Sequence, residues 1–339
     1  KEFLQDSQDW QDLQDASQNP VNPANPVQNP GPVGLISAAW DDSGLHDETF
    51  WLGWAMTTQA AWSPGTATEE AVASFFELFY GRQVTGMVEV YQALQAGARF
   101  YEDALESLPS RVRPAPRYGN SAARQPVPNV DKAMRPPGLP DAATLAFQPT
   151  FTARYAAVLA QAGAQWAAND RCLARLHETL VRATRNRENL EVLLSIARLE
   201  RTFIGWLLAF AQAENALVAA SHAAAASDPR RALKHALAAR DGVQAAVDGL
   251  HDTYARLRAT WERDRYEKGR AVGGRAFLHA WDDVKDHFAD RRSDLSYLLE
   301  AHELMDAPGW LRGLDAAITA YAERHGIGDL LREADLLDD

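Results

Sequence analysis

Three long apolar stripes at helical spacing limit the possible folds of this chain more than any other feature. Phe151, Tyr155, Val158, Ala162, Trp166, Leu173, Leu176 and Leu180 recur at intervals near three and four. Leu190, Leu193, Leu194, Ala197, Ile204, Leu208 and Ala211 form the second stripe, and Val243, Val247, Leu250, Tyr254, Leu257 and Trp261 the third. Such spacing gives each helix one apolar face. Asn186 and the Asp228-Pro229 pair mark the turns between them, the second as a cap with proline at the first helical position. Helices of roughly 30 residues joined by short turns pack antiparallel. The expected fold class is therefore mainly α, with a long antiparallel helical bundle.

The flanks read as shorter elements. Residues 48–62 form one apolar helix, and the Ser63-Pro64-Gly65 stop leads to Thr66 or Thr68 as an N-cap ahead of Glu69 and Glu70. A second helix closes at Gly81, where glycine suits a helix end. A third runs over 83–106 with Met87, Val90, Tyr91, Leu94, Ala98, Tyr101 and Leu105 on one stripe. Residues 107–140 hold eight prolines and read as a long loop. Gly269, Gly273 and Gly274 break the helical pattern near the end, and shorter helices are expected at 277–305 and 308–337.

The N-terminal part differs in kind. Residues 1–18 make a weak helix, and four Asn-Pro pairs follow between residues 19 and 30. Proline removes an amide hydrogen and drives the residue before it out of the helical region, so residues 1–32 end in an extended connector. Val33 to Ala39 is a short apolar run between Pro32 and Trp40, and reads as a fully buried strand. A lone strand leaves its backbone groups unpaired, and no second strand is legible further along.

Composition excludes several functions. The net charge of −12 repels a phosphate backbone, so no nucleic acid is expected as a partner. No apolar run reaches about 18 residues, so no membrane span is expected. The one cysteine, Cys172, allows neither a disulfide framework nor a zinc set, and reads as buried and inert. No glycine-rich phosphate loop is present, the Gly269–Gly274 stretch having the wrong context, and no cofactor is expected. His279, Asp283 and His287 share i, i+4 spacing that could hold a metal, but no H-E-x-x-H pattern is present. With Lys285 and Arg291 to pair the acids, an ion-paired helix face without metal is the reading taken. Trp166, Trp206, Trp261 and Trp281 read as core and interface packing.

One stretch carries chemistry: GLISAAWDDSGLHDETFWLGWAMTTQAAWSPG, residues 34–65. An apolar run ends in Trp40-Asp41-Asp42, and a helix follows with Trp51 near its start and Trp62 near its end. Asp41 and Asp42 suit a turn and helix cap equally well on residue type alone. His46 and Glu48 could line a pocket mouth but read as surface or capping residues.

This stretch, with the FFELFYG that follows, resembles the end of the catalytic barrel in glycoside hydrolase family 20, the β-N-acetylhexosaminidases. In that family the eighth barrel strand ends in a Trp-x-Glu or Trp-Asp-Asp type motif, and a helix with trailing aromatics comes next. The resemblance covers residues 33–81. It implies that Trp40 walls the sugar pocket with its indole face and that Asp42 accepts hydrogen bonds from sugar hydroxyls. The family pattern often has Glu where Asp42 stands. It also implies a substrate-assisted retaining mechanism, in which the sugar's acetamido oxygen attacks the anomeric carbon. The Asp-Glu pair that orients the acetamide and protonates the leaving oxygen lies on an earlier strand, and no residue here takes a catalytic role.

The Lys1 start and the lone strand are accordingly expected to have one cause. The chain reads as the C-terminal portion of a longer hydrolase acting on N-acetylhexosamine-containing oligosaccharides, itself inactive. Residues 1–32 would be the connector, 33–81 the end of a truncated (β/α)8 barrel, and 82–339 a helical C-terminal domain. The resemblance implies a periplasmic or extracellular location. Two alternatives stay open: a helical interaction module that forms an oligomer through this domain, or part of a different N-acetylhexosamine-acting barrel hydrolase.

Overall fold

The computed structural model describes residues 35–37, 47–104, 106–107, 111–114, 126–129, 132–263, 271–272, 275–276 and 307–331. These residues are mainly helical. A 3-10 turn, Asp47–Phe50, leads into α1 (Trp51–Trp62), α2 (Thr68–Tyr80) and α3 (Met87–Asp103). A single turn, α4 (Phe151–Arg154), then precedes α5 (Ala156–Arg182), α6 (Arg187–Ala225) and α7 (Pro229–Glu262). The last described helix is α8 (Ala307–His325).

The three long stripes fold as long helices, and both turn signals act as read. Asn186 adopts the left-handed conformation, with φ 47°, ahead of α6. The Asp228 carboxylate accepts the Arg231 amide at 3.1 Å, and Pro229 opens α7. Side-chain bonds fix how the helices run. Gln165 reaches Glu200 and Asn169 reaches Ala197, so α5 and α6 are antiparallel. Trp206 donates to the Ala246 carbonyl, and the Thr202 and Thr253 hydroxyls share a hydrogen bond, so α6 and α7 are antiparallel too.

Two apolar clusters share this frame. The larger gathers Phe203, Leu207, Phe210 and Leu217 of α6 with Leu233, Ala236 and Val243 of α7 and Trp310, Leu314 and Ile318 of α8. The smaller joins Phe76 and Tyr80 of α2, Met87 and Val90 of α3 and Leu176 of α5 to Leu190, Leu193 and Leu194 of α6. The 39-residue α6 runs through both. It is long and apolar enough to cross a membrane, with mean hydropathy 1.4 over 18 residues, but half of that window is buried inside the protein. A core helix needs the same composition, so no clear membrane span follows.

Several sequence expectations shift. Helix α2 starts one residue after Ala67, whose side chain cannot cap, so neither Thr66 nor Thr68 is the N-cap. Glu69 and Glu70 still lie in its first turn, where they favour the helix dipole. The third helix starts at Met87 rather than residue 83, because Gly86 sits at φ 80° and turns the chain there. The first long stripe breaks at Tyr155 into α4 and α5.

The described parts of the proline-rich 107–140 segment, read as a long loop, include short paired strands. Strands β1 (Glu106–Ser107) and β4 (Lys132–Ala133) pair antiparallel, as do β2 (Arg111–Pro114) and β3 (Pro126–Asn129). Residues 134–150 then form an irregular strap across the long helices. Arg135 N–H donates to the Tyr155 hydroxyl, Trp310 Nε1 to the Pro137 carbonyl, and Phe147 N–H to Ser221 Oγ. Further along, β5 (Ala271–Val272) and β6 (Arg275–Ala276) pair antiparallel. Of the run read as a buried strand, residues 35–37 are irregular, and Ile36 is 93% exposed. No partner strand lies beside them among the described residues. The helix expected at 277–305 lies outside the described residues.

Candidate functional site

Trp40, Asp41, Asp42 and His46 lie outside the described residues, and so do His279, Trp281, Asp283 and His287. What is described is the aromatic layer directly after them in the chain. Phe50 stands 5.9 Å from Trp54 between ring centres, and Trp51 meets Trp54 edge-on at 5.3 Å. Trp51 also lies 6.2 Å from Phe79, which stacks on Phe75 at 4.9 Å. These separations suit edge-to-face and offset packing. Trp51 stays 44% exposed and Trp62, at the far end of α1, 88% exposed.

A polar clamp fixes this layer to α6. Asn189 Nδ2 donates to the Glu48 carbonyl at 2.8 Å, while its Oδ1 accepts a hydrogen bond from the Tyr80 hydroxyl. Both Tyr80 and Asn189 are buried. Burial, helped by Tyr91 and Glu188, pushes the Tyr80 hydroxyl far above its ordinary pKa, so it remains a donor. Glu48 therefore does not act as a pocket residue through this bond. Its backbone oxygen is the anchor.

The end of α2 is held by the α5–α6 turn. The last carbonyls of a helix have no partner within it. Here Leu78 O accepts from Arg185 at 3.3 Å, Phe79 O from Asn186 Nδ2 at 2.8 Å, and Tyr80 O from the Thr184 amide at 3.0 Å. Gly81 permits the contact: a Cβ there would stand 2.4 Å from Thr184 Oγ1, and its φ is 108°. Glu48 and Asn189 are 141 residues apart, so no local sequence signal joins them. The one visible hint was an Asn in the first turn of a long apolar helix.

The other residues singled out in the sequence fall into structural roles. Cys172 is buried, and burial together with Glu200 pushes its thiol up to about 12, so it carries no thiolate near neutrality. Trp206 is buried in the larger cluster, with its indole N–H on the Ala246 carbonyl. Trp166 is a platform for Arg201, whose guanidinium carbon lies 3.2 Å from the ring centre. Among the described residues, no group of three or more His, Cys, Asp or Glu is placed to hold a metal.

The layer offers exposed indole surface beside a hydrogen-bonded anchor, a few residues after Trp40–Asp42 in the sequence. Comparison with family models, curated proteins and solved structures returns no match for this chain.

Proposed function

We propose that this chain is the C-terminal part of a family 20-like exo-β-N-acetylhexosaminidase. The sequence Trp40-Asp41-Asp42, followed at helical distance by Trp51 and Trp62, carries the reading. In it, residues 33–81 supply the last strand and helix of a (β/α)8 barrel, and an antiparallel helical bundle follows. Barrel enzymes place their sites at the C-terminal ends of the strands, where Trp40 and Asp42 would stand. The indole of Trp40 packs on the apolar face of the pyranose. Asp42, an acceptor in its ionised form, takes hydrogen bonds from sugar hydroxyls. The acetamido group of the substrate acts as nucleophile, and the general acid belongs to an upstream strand. The parent would be an exported enzyme that trims terminal N-acetylhexosamine from oligosaccharides.

Hydrolysis of an aryl N-acetyl-β-glucosaminide tests this. The 339-residue chain should show no turnover, and a protein extended upstream to its natural start should cleave. In the extended protein, Trp40→Ala and Asp42→Ala should each lower kcat/KM by about 10- to 1,000-fold, the range for a lost stacking or charge-assisted contact. Robust hydrolysis by the 339-residue chain, or no effect of either substitution, sinks the proposal.

A second reading is favoured by one observation. Trp51, Trp62, Leu78 and Val181 are large apolar side chains left exposed. Exposed side chains of this size supply the apolar area that an assembly module needs where they lie together. Sedimentation showing a tight dimer, together with inactivity of the extended protein, would favour it over the hydrolase.

A further inference from the structure

The start of α1, the end of α2 and the α5–α6 turn meet at one corner of the bundle. Trp51 lies 6.2 Å from Phe79. Arg185 and Asn186 donate to the carbonyls of Leu78 and Phe79, and the Thr184 amide donates to that of Tyr80. The side chain of Leu78 points away from these contacts, with the residue 66% exposed, and Val181, in the last turn of α5, is 81% exposed. The same corner carries Arg82, Arg182, Arg185 and Arg187, all exposed. Three acids share it. Glu77 pairs with Arg82, Glu178 is shared by Arg175 and Arg182, and Glu188 follows Arg187. Among the described residues, Arg185 and Arg187 have no carboxylate partner. The corner is thus locally basic in a chain of net charge −12.

Helix α1 distinguishes a lipid from a protein partner. No charged residue stands between Glu48 and Glu69. A helix that is apolar on every side is ordinarily buried all round, yet only Met56 of α1 is buried. Trp51 and Trp62 stand exposed at its two ends. Its polar side chains are bonded within the segment. The Thr57 hydroxyl donates to the Gly53 carbonyl at 2.8 Å and the Thr58 hydroxyl to the Trp54 carbonyl at 3.0 Å. Gln59 Nε2 donates to Thr66 Oγ1 at 3.4 Å. Such back-bonding satisfies hydroxyls without water, which a hydrocarbon-rich medium requires. Indoles favour the boundary between membrane and water. Twelve residues extend about 18 Å, too short to cross about 30 Å of hydrocarbon, so α1 fits along that boundary and not across it. Arginines beside exposed apolar side chains reach outward to anionic headgroups while their stems stay with the apolar surface.

We propose that this corner docks on an anionic lipid surface. Helix α1 lies in the headgroup layer, Leu78 and Val181 enter with Trp51, and Arg82, Arg182, Arg185 and Arg187 face the lipid phosphates. The contact is peripheral and reversible and needs no spanning segment. Charges on the acidic remainder of the chain are screened beyond about 10 Å at 0.1 M salt, so the corner sets both the attraction and the orientation. The proposal does not depend on the hydrolase reading. It gives to lipid the side chains that an assembly module would bury against a second copy.

Flotation of the full chain with vesicles tests this. Vesicles of phosphatidylcholine mixed with phosphatidylglycerol should carry the protein, and added salt should release it. Vesicles of phosphatidylcholine alone should carry little. Arg187→Gln should lower the partition about five-fold, and Leu78→Ser with Val181→Ser roughly tenfold. All three side chains are exposed, so the melting temperature should stay within about 2 °C of the wild type. In the wild type alone, mixed vesicles should slow amide exchange over residues 47–62 and 181–187. No binding to mixed vesicles, binding indifferent to all three substitutions, or protection confined to other residues overturns the proposal. Equal binding to neutral vesicles removes the role of the arginines and overturns it too. So does a tight dimer that protects this corner and leaves the vesicles bare, an outcome that assigns the surface to a second copy.

Discussion

Glu214 meets α4 end-on. Its two carboxylate oxygens accept the amides of Thr150, Phe151 and Thr152 at 2.6, 2.6 and 2.7 Å and the Thr152 hydroxyl at 2.6 Å. A carboxylate from one helix thus caps the start of another, where the dipole favours negative charge. Burial raises its pKa, but these hydrogen bonds outweigh that effect and hold it below the ordinary Glu value. Glu214→Gln keeps one acceptor oxygen and points an amide donor at backbone donors, and should cost about 2–4 kcal/mol in urea unfolding at neutral pH. With a lowered folded pKa, the contribution is present above the ordinary Glu value and lost as pH falls through the folded one. The gap between wild type and E214Q should therefore shrink on acidification. This role was not legible in the sequence. A Glu among apolar residues shows no target until the amides at 150–152 arrive from more than 60 residues away.

Among the elements, the docking of α2 onto the α5–α6 turn was half legible. Gly81 announced the end of a helix, and Asn186 a turn, but not that the two would meet. Gly81→Ala meets both a positive φ and the Thr184 hydroxyl, and should destabilise by about 2 kcal/mol or more. Adding Thr184→Gly removes the clash and leaves the backbone strain. The double variant should recover part of the loss in thermal melts, and no recovery would assign the whole cost to φ. The apolar stripes were legible because their 3.6-residue period is a local property of each helix. The β1–β4 pairing and the 134–150 strap were not, since proline-rich sequence signals only what it cannot form. For the candidate site, the sequence shows the aromatics of α1 and α2. The Tyr80–Asn189–Glu48 clamp depends on contacts between segments more than 100 residues apart.

Across the whole molecule, α6 joins the two apolar clusters through one continuous backbone. Leu193→Ala in the smaller cluster and Leu207→Ala in the larger should each cost about 2–5 kcal/mol. Both should shift one shared unfolding transition, read by far-UV circular dichroism and by tryptophan fluorescence. Two separable transitions would show that the clusters melt independently. The same spine has a consequence for biogenesis. From Thr202 to Ala225 the helix carries one ionisable acid, Glu214, in a run with no Lys or Arg. A nascent chain leaving the ribosome displays that run before α7 and α8 cover it, and insertion machinery would judge it by composition alone. A carboxylate near the middle of such a segment opposes partition into lipid by about 2.5–3.5 kcal/mol. The residue that caps α4 in the finished fold therefore also helps keep the unfinished chain on its route to folding, and Glu214→Leu should raise insertion of this segment in a translocation reporter.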